Sequence, residues 1–207
     1  MTTTNAKRAA RTRQRLLLAA AEIFDEAGYE GAPVTRIAER AGLTLGALYF
    51  HFGSKQGVAE ALMNTQATTI EPHLSSTGLQ RLVDITLVWA HRMQHDPILR
   101  AGVRLAVEQG SHGMNDATSF EDWRKLMRDL LETARSEGEL MEEVDTDRVA
   151  RFVVAACTGM QIYSQLATGR SDLMERVCDM WRLLLPSIAT PAVRDNISVD
   201  PQQVRAS

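Results

Sequence analysis

The sequence predicts an all-α protein, a small N-terminal three-helix unit built around a helix-turn-helix and followed by a larger helical domain. Apolar residues recur three and four apart along most of the 207 residues, the spacing of helices with one buried face. No stretch alternates apolar and polar residues as a half-buried strand does. Glycine or proline sits at the seams between periodic segments, at Gly28, Gly42, Pro97 and Gly169, where helices stop or start.

Taken in order, a first helix over 7–27 carries Leu16, Leu17, Ala20, Ile23, Phe24 and Ala27 on one face, and Gly28 ends it. A short helix follows over 34–41, with Val34, Ile37, Ala38 and Ala41 at helical spacing and Gly42 as its stop. A second short helix runs over 45–50 with Thr44 placed to cap it. Ser54 is placed to cap a fourth helix reaching to about residue 70. Longer helices are expected over 79–95, 97–109, 119–137, 146–167 and 172–188. Thr118, with Glu121 three residues on, has the form of a capping box. Residues 110–117 read as a loop, and the polar tail from Pro191 is expected to fray.

Hydrophobic residues make up 44% and charged residues 24%, an ordinary balance for a soluble globular chain. No apolar run approaches the ~20 residues of a membrane span, and the basic start of the chain has no secretory character. A cytoplasmic protein is expected, with Cys157 and Cys178 as buried free thiols. The net charge of −3 is unevenly spread. Residues 1–55 carry eight Lys/Arg against five Asp/Glu, and residues 56–207 carry fifteen against twenty-one. A basic head on an acidic body points to a polyanionic partner at one end.

Nothing in the sequence supports catalysis. It contains no GxSxG, GxxxxGK[ST] or GxGxxG pattern. His91 and His95 could share a helix face, but without a Glu-x-x-His pattern or a third ligand they read as a solvated face rather than a metal site. No cofactor or metal is expected. Asp145 and Asp147 read as helix-start residues.

The two short helices joined by Ala41-Gly42-Leu43 form a helix-turn-helix candidate. The run TLGALYFHFGSK at 44–55, preceded by IAERAGL at 37–43 and AAAEIFDEAGYEGAPV at 19–34, resembles the DNA-binding domain of TetR-family repressors. The resemblance covers about residues 11–62 without a gap. It implies that the helix at 45–50 enters the major groove of double-stranded DNA. Thr44, Tyr49, His51 and Lys55 would contact phosphates, and Gly46 would let the backbone approach. Arg8 and Arg11, with Thr35, would add contacts. Hydroxyls, a helix N-terminus and an ammonium suit phosphates, while base edges supply specificity. Ala47, Leu48 and Phe50 read as packing residues, with Ala47 also able to touch a thymine methyl.

Three positions depart from the family pattern. Leu45 stands where many relatives carry Lys, so a cationic contact is lost or replaced by an apolar base contact. Pro33 stands where a Ser or Thr cap is common, and it can open a helix without capping it through a side chain. Gly57 stands where an acidic residue often completes a capping box with Ser54, at a cost of about 1 kcal/mol relative to alanine. Plain tolerance of Gly57 is the expectation.

The second half is similar to the γ-butyrolactone-receptor branch of the same family, known from Streptomyces and related actinomycetes. The similar phrases are HRMQHDPILRAGVRLAVEQ at 91–109, SFEDW at 119–123, LLETARSEGEL at 130–140 and LLPSIA at 184–189. The resemblance implies that Trp123 lines an effector pocket, with Gln66 and Thr158 able to offer polar groups. Ile85, Val88, Trp89, Leu105, Leu126, Val154 and Met160 are candidate apolar lining, and spacing suits each of them equally to ordinary core. It also implies a homodimer, with Phe152, Val153, Ala156, Met160 and Tyr163 on one helix and Val177, Trp181, Leu184, Leu185 and Ile188 on the next packing against their symmetry mates.

Together these imply DNA reading in residues 1–54, effector binding and dimerisation in 55–190, and a polar tail at 191–207. The expected protein is a dimeric repressor released from a near-palindromic operator by a small diffusible signal of γ-butyrolactone type. An antibiotic, another small molecule, or no ligand is the alternative.

Overall fold

The computed structural model describes residues 2–65, 74–112 and 116–202. Among these the chain is helical, with no strand beyond an isolated antiparallel bridge between Leu140 and Ala189. In order, the helices are α1 (Thr2–Ala27), α2 (Val34–Ala41), α3 (Leu45–Phe52), α4 (Lys55–Met63), α5 (Gly78–His95), α6 (Pro97–Glu108), α7 (Thr118–Ser136), α8 (Thr146–Thr168), α9 (Leu173–Ile188) and the short α10 (Pro191–Arg194). A 3-10 turn, Gln109–His112, follows α6.

The chain forms two compact units: Met1–Gln66 with Asp96–Ser119, and Ala67–His95 with Phe120–Ser207. In the first, α1 packs against α2, α4 and above all α6. Leu16, Ala20, Ile23 and Phe24 of α1 are wholly buried, as are Ile37 of α2, Leu48 of α3, and Val58 and Leu62 of α4. Fully burying the Leu, Ile, Val and Phe side chains among these is worth about 1.5–3 kcal/mol each, which holds together helices too short to persist alone. Asp96 caps α6 by accepting from the amide of Ile98 at 2.9 Å, and Pro97 fills the first turn. After α6 the buried Gln109 side chain fastens the chain on both edges of its amide. Its Nε2 donates to the Asp116 carbonyl and its Oε1 accepts from the Asp116 amide, each at 2.8 Å.

In the second unit α5 and α8 both pack on α9. Trp181 is fully buried, and its indole Nε1 donates to Thr86 Oγ1 at 2.7 Å, so the largest core side chain leaves no polar atom unsatisfied. Thr86 Oγ1 in turn donates to the Val83 carbonyl at 2.8 Å. At the start of α9, Asp172 gathers Arg176, Ser164 and Thr168, and these hydrogen bonds hold its carboxyl well below the usual carboxylate range. Asp145 caps α8, accepting from the Arg148 amide at 2.9 Å.

Several local expectations are corrected. α1 begins at Thr2, and α3 continues to Phe52. α4 ends at Met63 with Asn64 as its C-cap instead of reaching residue 70, and residues 66–70 lie outside the described residues. The start of α7 is held by Asp116, which accepts from both the amide and the hydroxyl of Thr118, while Glu121 pairs with Arg124 at 2.7 Å instead of closing a capping box. The chain after Pro191 does not fray at once. Gln80 of α5 exchanges two hydrogen bonds with the backbone of Ser198, at 2.8 and 3.0 Å.

Candidate DNA-binding surface and effector region

The turn between α2 and α3 depends on Gly42, which has φ 62° and ψ 39°, the left-handed conformation that costs a residue with a Cβ. The Leu43 amide returns to the Ala38 carbonyl and the Gly42 amide to the Glu39 carbonyl, both at 2.9 Å, closing the helix end. Arg15 Nη2 donates to the Ala41 carbonyl at 2.6 Å. This cation of the basic N-terminal segment therefore serves the turn. Thr44 caps α3 as expected, accepting from the Ala47 amide at 3.2 Å.

Leu48 is the buried anchor of α3. Thr44, Gly46 and Tyr49 are exposed, and Leu45, Ala47 and His51 are half-buried. Of the predicted contact residues of α3, Thr44, Gly46 and Tyr49 face solvent, whereas Leu45 and His51 are half-buried on either side of Leu48. Phe50 does not pack: it is 82% exposed. It lies two residues from Leu48, about 200° around a helix, and so points away from the core. The sequence reading missed it because every neighbour in LYFHF is apolar or aromatic. Thr35 on α2 and Arg8 and Arg11 on α1 are exposed.

The cations of this unit divide by role. Arg36 and Arg40 form exposed ion pairs with Glu26 and Glu22. Arg13 lies 4.9 Å from the centre of the Phe52 ring. Lys55, half-buried, holds its ammonium 4.5 Å from the centre of the Tyr29 ring. Burial pulls the Lys55 ammonium below the ordinary lysine value, with Glu30 opposing. Ser54 caps α4 by accepting from the Gly57 amide at 3.0 Å. Gly57 is more than tolerated here, because a Cβ at that position would lie 2.0 Å from the Phe52 carbonyl oxygen.

One ion pair and one side-chain-to-backbone hydrogen bond join α6 to the end of α1. Arg100 Nε meets Asp25 Oδ2 at 2.6 Å, and Arg104 pairs with Glu108 while donating to the Asp25 carbonyl at 2.6 Å. Glu108 in turn accepts from the Tyr29 amide at 3.3 Å. The first unit therefore binds α6 through one salt link and backbone hydrogen bonds as well as apolar packing.

In the second unit, Ile85 and Trp89 of α5 and Trp123 of α7 are buried, and Val88, Leu126, Val154, Thr158 and Met160 are half-buried. An open groove of about 510 Å³ between α7 and α8 brings Val154 and Thr158 together with Phe120, Arg124, Gly159 and Ile162. The Thr158 hydroxyl donates to the Val154 carbonyl at 2.8 Å, which leaves its oxygen lone pairs as its offer to a ligand. Arg124, on the same groove, pairs with Glu121 and Asp147. Leu105 is wholly buried on α6 in the first unit. Gln66 lies outside the described residues.

The expected dimer stripes are partly core. Val153 on α8 and Val177, Trp181, Leu185 and Ile188 on α9 are buried within the chain. The apolar residues left facing water are Phe152, Ile162, Tyr163 and Leu166 on α8 and Leu183 on α9, with Leu166 at 82% and Leu183 at 79% exposed. Arg176 lies 4.2 Å from the centre of the Tyr163 ring.

Both thiols are buried, and burial pushes Cys157 up to about 12 and raises Cys178 as well. No cluster of potential metal ligands occurs among the described residues, and no helix among them is long and apolar enough to cross a membrane.

Comparison with known proteins agrees with this architecture. Residues 16–62 match the family of bacterial regulatory proteins of tetR type, and residues 76–190 match the tetracyclin repressor-like C-terminal domain. The A-factor receptor protein of Streptomyces griseus is 40% identical over 190 residues, covering 90% of this chain and 67% of the relative. The crystal structure of TylP, a TetR regulator from Streptomyces fradiae, superposes with a TM-score of 0.88 at 40% identity, covering 96% of each chain. A solved gamma-butyrolactone receptor, an ArpA-like protein, gives a TM-score of 0.74 at 26% identity, covering 96% of this chain and 98% of the other. These relatives are regulators rather than enzymes. The chain belongs to the TetR family of DNA-binding transcriptional regulators and, within it, to the branch that resembles γ-butyrolactone receptors.

Proposed function

We propose that the chain is a dimeric repressor that leaves a near-palindromic operator when a γ-butyrolactone-type signal binds its C-terminal helices. The observation that carries the DNA-binding part is the division of α3: Leu48 faces the core while Thr44, Gly46 and Tyr49 face solvent together. Thr44, Tyr49, His51 and Lys55 hold phosphates, with Arg8, Arg11 and Thr35 adding contacts, and Gly46 lets the backbone come close. Residues 1–54 read DNA, and 55–190 bind the effector and a second copy. The tail is 191–207. The protein works in the cytoplasm, on the nucleoid.

The apolar side chains exposed on α8 and α9, Phe152, Ile162, Leu166 and Leu183, support an isologous contact with a second copy. A two-fold dimer sets its two reading helices one DNA turn apart, ~34–36 Å, to enter successive major grooves. Trp123 supplies an apolar wall for the effector, with Thr158 as a polar partner and Ile85, Val88, Trp89, Leu126 and Val154 as lining. The effector releases DNA only to the extent that it prefers the conformation that cannot span both grooves. α6 is suited to carry the change, since Arg100 and Arg104 tie it to α1.

The test has two arms. Duplexes are selected by the protein from a random-sequence pool, and the bound complex is then titrated with γ-butyrolactone, butenolide and furan signals. Enrichment of a near-palindrome and its release by a γ-butyrolactone are expected. Failure of all signals to release a bound palindrome ends the effector reading, and failure to enrich any duplex ends the repressor reading.

A further inference from the structure

We propose that Phe50 is a base-reading residue, its ring meeting the C5 methyl of a thymine in the major groove. Each operator half-site then carries that thymine at one fixed place. This rests on the DNA-binding reading of α3 given above.

The position of Phe50 on its helix is the starting point. Leu48 is 0% exposed and defines the inward side of α3. At about 100° per residue, Gly46 and Phe50 both fall opposite Leu48 and stand one turn apart. They therefore form the outermost line of the helix, with Leu45 and Tyr49 on one flank and Ala47 and His51 on the other. Phe50 is 82% exposed against 45% for Tyr49. Its ring meets His51 edge-on, with centroids 5.2 Å apart. An added Cβ at Gly46 would have no neighbour nearer than the Thr44 hydroxyl at 3.9 Å, so the line beside the Phe50 ring is open.

Chemistry selects what such a ring can read. The flanks supply hydroxyl and imidazole groups suited to phosphates, and the basic head supplies charge complementarity to a duplex. The outermost side chain itself neither donates nor accepts a hydrogen bond. It gains nothing from a phosphate oxygen, and it cannot match the donors and acceptors of guanine, cytosine or adenine. The thymine methyl is the apolar group that the major groove presents.

The test uses the full-length protein. Wild type, Phe50→Ser and Phe50→Leu each select duplexes from a random-sequence pool. Every enriched thymine is then replaced in turn by deoxyuridine, which removes only the methyl. Because Phe50 is exposed, neither substitution should lower the helix content seen by circular dichroism. The expected result is one thymine per half-site whose replacement weakens wild-type binding about fourfold, the scale of one buried methyl. Phe50→Leu should keep most of that penalty and Phe50→Ser should lose it, all three proteins sharing one salt dependence. The proposal is overturned if no thymine responds, or if Phe50→Ser responds as strongly as wild type. Failure of all three proteins to enrich any duplex overturns the DNA-binding reading, and this inference falls with it.

Discussion

Arg100 on α6 and Asp25 on α1 meet at 2.6 Å with their side chains only 20% and 19% exposed. The two residues are 75 positions apart in sequence, and the link fastens α6 to the α1 end that precedes the DNA-reading helices. Charge-assisted hydrogen bonds to partly buried groups are worth about 1.5–3 kcal/mol. Asp25→Asn and Arg100→Met should each lower unfolding free energy by about 1–2 kcal/mol in urea titrations. The double variant should lose less than the sum, as coupled partners do. Strict additivity would show that the pair carries no coupling.

Gly57 gives a prediction of opposite sign to helix propensity. Alanine is favoured over glycine inside a helix by about 1 kcal/mol. The Phe52 carbonyl oxygen, 2.0 Å from where the Cβ would sit, outweighs that gain. Gly57→Ala should lower the thermal midpoint, and a raised midpoint would mean that the α3–α4 turn relaxes freely.

Phosphate contacts are read from salt dependence. Tyr49→Ala and Lys55→Ala should weaken binding to every duplex by similar factors. Lys55→Ala should also reduce the slope of log affinity against log salt by about one. Because Lys55 also covers the Tyr29 ring, Lys55→Met separates loss of charge from loss of packing. An unchanged slope in both lysine variants would remove Lys55 from the phosphate contacts.

Trp123→Ala separates effector binding from DNA binding. The variant should retain affinity for a selected duplex and no longer release it when a γ-butyrolactone is added. Loss of DNA binding together with release would mark Trp123 as core alone.

The thiols predict a pH response. Cys157 is pushed up to about 12 by burial, so it stays neutral and unreactive in the folded protein where a free thiol, near 8.5, would ionise. Labelling at pH 8 should be slow until the chain is unfolded. The stability that a neutral buried Cys157 contributes is full below about 8.5 and is lost as pH rises towards about 12. Cys157→Ala should flatten that alkaline decline.

Helix order was legible because spacing and terminal residues agree: Thr44, Ser54 and Asp145 cap helices from positions that sequence alone marks. The turn at Gly42 was legible for the same local reason. Long-range choices were not. The sequence reading assigned Thr118 a capping role, but the chain from Asp116 takes that place and is held by Gln109. The apolar residues of α9 could not be divided between core and outer face, since both sets are apolar and only packing separates Trp181 from Leu183. Phe50 was hidden in an aromatic run, and the role of Gly57 depends on a carbonyl that no pattern displays.

The hydrogen bond from Trp181 to Thr86 has an optical consequence. The chain has three tryptophans, and Trp89, Trp123 and Trp181 all belong to the second compact unit. Excited at the long-wavelength edge where Tyr29 and Tyr49 no longer absorb, intrinsic fluorescence is thus a private reporter of that unit. Trp181, sealed and hydrogen-bonded, is a constant blue-shifted background, against which quenching or a spectral shift from Trp123 and Trp89 on adding a γ-butyrolactone would test the proposed effector site without any attached dye.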